Sequence, residues 1–291
     1  MPELPEVETI RRQLAPVAEG RVLERMEVLD ARWCEPLTTT QLTDAVDGRR
    51  VDALTRRGKY LVWELEGDVF LLCHLRMTGT MLVAEDRYLR AVFHLGGAGP
   101  DVFFCDPRRF GTGELALGTE ARDAFFDARL GIEPLGGELT GERLRALARG
   151  RRAPVKSFLL DQRRIAGVGN IYADEALFAA RVHPLRPAGS LRPAQYEALA
   201  EAVRDALTAG LAAGGATIDD FRHADGVAGA FQNDFRIHLR EGEPCLACGT
   251  TVVKFWVGGR GTYVCPSCQP APRRRSAGPS AGRRGRRPPA P

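Results

Sequence analysis

Two stretches of this sequence carry residue types that can do chemistry. The first is its start, Met1-Pro2-Glu3-Leu4-Pro5-Glu6-Val7-Glu8. With Met1 removed, Pro2 presents a secondary α-amine beside carboxylates. A free α-amino group titrates near 8, so about a tenth of it is unprotonated at neutral pH, against roughly one in a few thousand for a lysine. An unprotonated amine attacks an electrophilic carbon and holds it as an imine. The same residues also have a plainer reading, in which Pro5 opens a helix and Pro2 only stiffens the terminus. The second stretch is Cys245-x-x-Cys248 and Cys265-x-x-Cys268, separated by 16 residues. That is the spacing of two knuckles closing a tetrahedral four-cysteine site for one Zn2+. Four thiolates leave no position for water, so the metal is structural rather than catalytic. The residues between, 251–264, have strand character broken by Gly258-Gly259-Arg260-Gly261, which predicts a hairpin with Arg260 at its tip. A cation held there can be set rigidly against a phosphate, although a turn arginine can equally be only solvated.

These groups need elements to position them. A chain of 291 residues, 44% hydrophobic and 27% charged, can build two domains with cores. Its strongest apolar run, 69–73, is strand-sized, so no transmembrane span is expected. Glu3, Glu6 and Glu8 stand where a secretory signal needs basic and then apolar residues, which predicts a cytoplasmic protein. The net charge is +4, yet residues 270–291 hold seven arginines and no acid, so the rest of the chain is slightly acidic. A nucleic-acid site must then come from local clusters: Arg49-Arg50, Arg56-Arg57 with Lys59, Arg108-Arg109, 149–152 with Lys156, and Arg163-Arg164. Any one of these is also what a solvated face looks like. Cys73 and Cys105 sit in apolar runs and are expected to be small buried side chains.

Val7, Ile10, Leu14 and Val17 recur at helical steps from Pro5 until Gly20. Short β-branched or alternating runs follow at 22–29, 51–55, 60–65, 69–74, 91–95, 102–105 and 114–117, separated by glycines, with a helical interruption at 39–46. Many short strands with glycine-rich turns predict an antiparallel sandwich. The segment 132–140 reads as a linker, and 141–241 as helical up to about residue 220. Its clearest helix spans 193–213, with Leu199, Val203, Leu207 and Leu211 in one stripe and Gly214-Gly215 as the stop. Gly167-Val168-Gly169-Asn170 leads into a helix over 171–181, with Asn170 as its cap and an N-terminus that could offer N–H groups to a phosphate. Residues 223–232 are too rich in small residues for a helix and read as a mobile loop. The zinc segment occupies 242–269, and 270–291 is expected to be a disordered basic tail, either a solubilising appendage or a non-specific attractor of polyanions.

The ordered set PELPEVE, GKY, DPRRFG, GVGN and CxxC…CxxC, across residues 2–269, closely resembles the bacterial formamidopyrimidine-DNA glycosylase family. The resemblance implies an α+β multidomain fold: an N-terminal helix and β-sandwich over 1–131, a helix-two-turn-helix domain, and a zinc finger, with DNA in the cleft between. It implies base-excision repair of oxidised purines, with abasic-site lyase activity, by a monomer acting on double-stranded DNA. By this resemblance Pro2 is the nucleophile, Glu3 the acid at the sugar ring oxygen, and Glu6 a supporting carboxylate. Lys59, Lys156, Asn170 and Arg260 correspond to phosphate contacts, and Met77, Arg108 and Phe110 to the side chains that fill the hole left by an extruded nucleotide. Without it, Met77 and Phe110 read as core residues.

Two positions depart from the family pattern. Where a histidine usually precedes the strand at 91, this chain has Tyr88 and Arg90, so Tyr88 stands in place of a phosphate contact. Where a basic residue usually leads into the 223–232 loop, it has Asp219. Val7-Glu8-Thr9 and the full-length loop resemble the purine-directed branch rather than endonuclease VIII-like enzymes for oxidised pyrimidines. A rival of another class is a non-catalytic DNA-binding zinc protein.

Overall fold

The computed structural model describes residues 1–218 and 222–272; residues 219–221, with Asp219 among them, and 273–291 lie outside it. The first helix, α1 (Leu4–Ala18), begins in a reciprocal cap: Glu3 N–H donates to Glu6 Oε2 at 2.8 Å, and the Glu3 side chain accepts from the Glu6 backbone. Its apolar positions serve two cores. Leu4 packs with the helical region, whereas Val7, Ile10 and Leu14 pack with the strands. The helix therefore joins the two halves of the molecule.

The chain then builds β1 (Val22–Val28), α2 (Thr39–Val46), β2 (Arg49–Arg57), β3 (Tyr60–Leu65), β4 (Val69–His74), β5 (Thr80–Leu82), β6 (Leu89–Leu95), β7 (Val102–Cys105), β8 (Thr112–Leu117) and α3 (Thr119–Asp127). The strands form one antiparallel strip in the order β5-β7-β6-β1-β2-β3-β4-β8. Only two residue pairs, Val22↔Arg50 and Leu23↔Arg49, join β1 to β2. At that short seam the strip folds over, so that Trp63 of β3 stacks on Phe93 of β6 at 4.6 Å. The expected sandwich is therefore a single strip folded face to face. Strand β5 escapes sequence patterning because it is three residues long, and α3 because Phe125-Phe126 supplies adjacent apolar residues rather than a stripe.

Helices α4 (Gly141–Ala148), α5 (Val155–Leu160), α6 (Asn170–Ala179) and α7 (Pro193–Ala212) share a second core. Leu199, Val203 and Leu207 are buried along the expected stripe of α7, and Leu211 is half-buried. The segment between the halves is pinned rather than free: the Glu133 carboxylate accepts from Arg56 at 2.7 Å, Arg57 at 2.8 Å and Gly58 N–H at 3.0 Å. The 223–232 loop, expected to be mobile, is tied at its start to the first half of the molecule. Ala224 N–H donates to Gln13 Oε1 of α1 at 2.8 Å, and Thr80 Oγ1 of β5 donates to Arg222 O at 2.8 Å. Strands β9 (Val253–Val257) and β10 (Arg260–Val264) make the zinc hairpin, which packs on Phe178 and Ile237. Among the described residues no helix is long and apolar enough to cross a membrane.

Candidate active site

The two N-terminal carboxylates are buried in the helical half. Glu3 is 2% exposed, and its Oε1 accepts the Ile171 N–H at 3.0 Å, on the first turn of α6. Glu3, not Asn170, thus satisfies that helix end; the residue in the cap position is Gly169. A Cβ on Gly169 would lie 2.2 Å from the Glu3 carboxyl carbon, so a side chain there would expel Glu3. Glu6 Oε1 accepts from Tyr172 Oη at 2.7 Å and from Ala216 N–H at 2.7 Å. Burial, and then the neighbouring Glu3 carboxylate, raise the Glu6 pKa against those donors. Gly215, at φ +80°, gives Glu6 the room to reach this position.

A cavity of about 190 Å3 opens beside this pair. Met1, Lys59, His74, Met77, Gly169 and Arg260 are among its lining residues. It brings the N-terminus, a sandwich lysine and the hairpin arginine to one place. Lys59 is 5% exposed; burial pushes its ammonium pKa down, and the Glu3 carboxylate opposes that shift. His74, at the end of β4, had no signal in the sequence beyond ending an apolar run. Its Nδ1 accepts the Arg76 N–H at 2.9 Å. Burial, reinforced by Arg76 and Lys59, lowers its pKa to about 3, so the ring is neutral with its proton on Nε2.

Met77, which lines this cavity, is 43% exposed and Phe110 is 50% exposed, which overturns their reading as core residues. The Arg108 guanidinium lies 4.9 Å from the Phe110 ring centroid. A left-handed arginine immediately precedes each exposed apolar side chain: Arg76 at φ +55° and Arg109 at φ +58°. Both loops are tied to Asp106, which is fully buried. It accepts from Thr78 Oγ1, from Arg108 N–H at 3.1 Å, from Phe110 N–H at 2.8 Å and from Gly111 N–H at 2.7 Å. Arg109 adds a paired contact to Asp30, with one bond of 2.7 Å. Tyr88 is half-buried beneath Arg87 and lines a separate cavity with Thr78 and Arg222. It lies beside the wedge loops, not among the residues lining the Lys59 cavity.

Lys156 needs correction as a direct phosphate contact. It is 0% exposed and paired with Asp174 at 2.7 Å, and its ammonium also donates to Gly261 O at 3.0 Å and Thr262 Oγ1 at 2.8 Å. His238 Nδ1 lies 2.9 Å from the same aspartate. Asn170 Nδ2 donates to Gly261 O as well, at 3.1 Å. Lys156 and Asn170 therefore brace the hairpin at the residue after Arg260. Arg260 itself, the first residue of β10 just past the Gly258-Gly259 turn, is exposed toward the cavity.

The thiols of Cys245, Cys248, Cys265 and Cys268 all lie within 4.8 Å of one another. The Cys248–Cys265 and Cys245–Cys268 sulfur pairs are separated by 3.5 and 3.9 Å. Zinc–sulfur bonds of about 2.3 Å in a tetrahedron require sulfurs about 3.8 Å apart, so the four residues fit one structural Zn2+.

The cavity thus gathers the N-terminus, Lys59, Arg260 and the exposed Met77 next to a pair of buried carboxylates. Residues 1–113 match the formamidopyrimidine-DNA glycosylase N-terminal domain, 130–222 its H2TH domain, and 242–271 the zinc finger found in FPG and IleRS. The chain is 43% identical over 286 residues to the formamidopyrimidine-DNA glycosylase of Ruegeria pomeroyi, covering 92% of this chain and 100% of that one. It is 43% identical to that of a Roseiflexus species, with the same coverage. Among solved structures, MutM (Fpg) from Thermus thermophilus superposes with a TM-score of 0.84 at 41% identity, over 92% of this chain and 98% of that one. Lactococcus lactis Fpg in complex with abasic-site DNA superposes with a TM-score of 0.85 at 31% identity, over 92% and 100%. The chain belongs to the formamidopyrimidine-DNA glycosylase family.

Proposed function

We propose that this enzyme excises oxidised purines, 8-oxoguanine and formamidopyrimidines, from duplex DNA and then cleaves the backbone through a Schiff base on Pro2. The observation that carries the reading is the burial of Glu3 and Glu6 at the N-terminus, beside a cavity lined by Met1, Lys59 and Arg260. Loss of Met1 frees the Pro2 nitrogen, which attacks C1′ of the extruded nucleotide as the base departs with a proton. Glu3 protonates the sugar ring oxygen as the ring opens. A secondary amine gives an obligatorily cationic iminium, an electron sink that acidifies the C2′ proton. Removing that proton expels the 3′ phosphate, and a second elimination expels the 5′ phosphate. Glu6 keeps the Glu3 backbone and the end of α7 in place. Lys59 and Arg260 would take phosphates, and Met77, Arg108 and Phe110 would occupy the vacated stack, a reading supported by the exposure of Arg260, Met77 and Phe110. The Zn2+ holds the hairpin and takes no part in the chemistry.

The domain limits follow the same reading, with a sandwich to residue 131, a linker to 140, a helical domain to 241 and the finger to 269. Action on bacterial DNA implies a cytoplasmic, nucleoid-associated monomer. The full-length 223–232 loop resembles that of the purine-directed branch, and relative rates on 8-oxoguanine and thymine glycol test that preference. Faster cleavage at thymine glycol would assign the enzyme to oxidised pyrimidines instead. Met1 lines the cavity, and its retention would leave Pro2 an amide nitrogen unable to attack. Intact mass of the untagged protein is expected to lack Met1; a full-length mass would favour a non-catalytic DNA-binding role.

A further inference from the structure

A groove of about 500 Å3 runs along the outer side of α6 and α7 and shares no lining residue with the Lys59 cavity. Its floor is apolar, including Ala202, Ala206 and Phe231, and Glu201, Asp205 and Asp234 are exposed along it. None of these three carboxylates forms an ion pair among the described residues. The one cation in the lining, Arg236, has its guanidinium over the Phe178 ring at 5.6 Å. The groove thus offers uncompensated negative charge above an apolar base.

The chain itself holds a complementary segment. Residues 273–291 contain seven arginines and no acid. They follow directly on the zinc finger, where Gln269 Nε2 donates to Val182 O at 3.0 Å. Val182 lies just beyond Ala179, the last residue of α6, and Ala179 lines the groove. The opposite end of α6 meets Glu3, about 15 Å away at the rise of a helix. Gln269 is therefore held nearer the groove end of α6 than the carboxylate end, and residues 273–291 can span roughly 60 Å. Guanidinium forks match carboxylates, and arginine stems lie along apolar surface.

We propose that residues 273–291 dock in this groove, so that the arginine-rich tail is held on the helical domain and kept off non-target DNA. Tethering supplies an effective concentration in the millimolar range, so individually weak surface pairs suffice. The tail and a DNA duplex then compete, and the groove sets how much of the tail's charge adds to non-specific binding.

A four-way comparison tests this: the full chain and the chain ending at residue 272, each with and without E201Q/D205N/D234N. Binding to undamaged duplex is measured between about 50 and 200 mM salt. All three substitutions lie on exposed positions, and 8-oxoguanine excision serves as the folding control. The expected result is a gain of at least about threefold in non-specific affinity on neutralising the groove of the full chain, well beyond any gain in the truncated chain. Equal gains in both chains, or none in either, would overturn the proposal. In a second arm, a labelled 273–291 peptide is titrated onto the truncated protein. Salt-sensitive binding that the triple variant loses supports docking. Binding to duplex but not to the truncated protein identifies the tail as a DNA-binding arm and overturns it.

Discussion

The two halves of the molecule present their functional groups in opposite ways. The helical half takes Glu3 and Glu6 out of water and holds them with donors from α6 and the end of α7. The sandwich half pushes Met77, Arg108 and Phe110 into water and hides the group that fixes them, Asp106. On the proposed mechanism the chemistry falls to the desolvated, pre-aimed carboxylates, and extrusion of a nucleotide to the apolar side chains exposed on stiff loops. The difference teaches that substitutions in the two halves should separate bond-breaking from nucleotide extrusion.

The largest effect is expected for Glu3→Gln. Excision of 8-oxoguanine should fall about 100- to 10,000-fold, as for loss of a positioned general acid, with duplex affinity little changed in a gel-shift titration. Phe110→Ala should give the reverse pattern, slowing excision from intact duplex about tenfold or more while cleavage at a pre-formed abasic site is nearly preserved, since unstacking costs a few kcal/mol. Equal losses on both substrates would break the division of labour.

Asp106→Asn should behave as a milder Phe110→Ala. It exchanges a carboxylate that accepts four bonds for an amide whose NH2 group faces donors, at a cost of about 1–3 kcal/mol in denaturant unfolding. Glu6→Gln should cost a similar amount, because three donors converge on that carboxylate too. It should also slow abasic-site cleavage, which Asp106→Asn should spare.

The last effect concerns acid. His74 titrates near 6.5 when unfolded and at about 3 in the fold, so below pH 6.5 the unfolded chain binds more protons. Its contribution to stability is complete above that pH and is lost as pH falls toward 3. Between pH 7 and pH 5 the wild type should lose about 2 kcal/mol more than His74→Gln in urea unfolding.

What the sequence made legible was local. The zinc knuckles, α1, α2 and the strands at 60–65, 69–74 and 102–105 follow from spacing and periodicity within a few residues. The parts it left hidden depend on distant partners. Lys156 follows the basic run 149–152 and looks like part of a solvated face until Asp174 and His238 bury it. Glu3 acquires its helix-capping role from Ile171, and Gly169 is needed there because of Glu3. Asp106 opens the DPRRFG motif, but its tie to the loop at Thr78 appears only in the fold, and His74 belongs to no motif.

The central claim is that the Pro2 nitrogen carries the covalent intermediate. Borohydride reduction during turnover of an 8-oxoguanine duplex, followed by peptide mapping, tests it most directly. One protein–DNA adduct is expected, located on Pro2 of a chain that lacks Met1, with near-complete loss in a Pro2→Gly variant. An adduct on Lys59, or a Pro2→Gly protein that cuts the duplex at the wild-type rate, would contradict it.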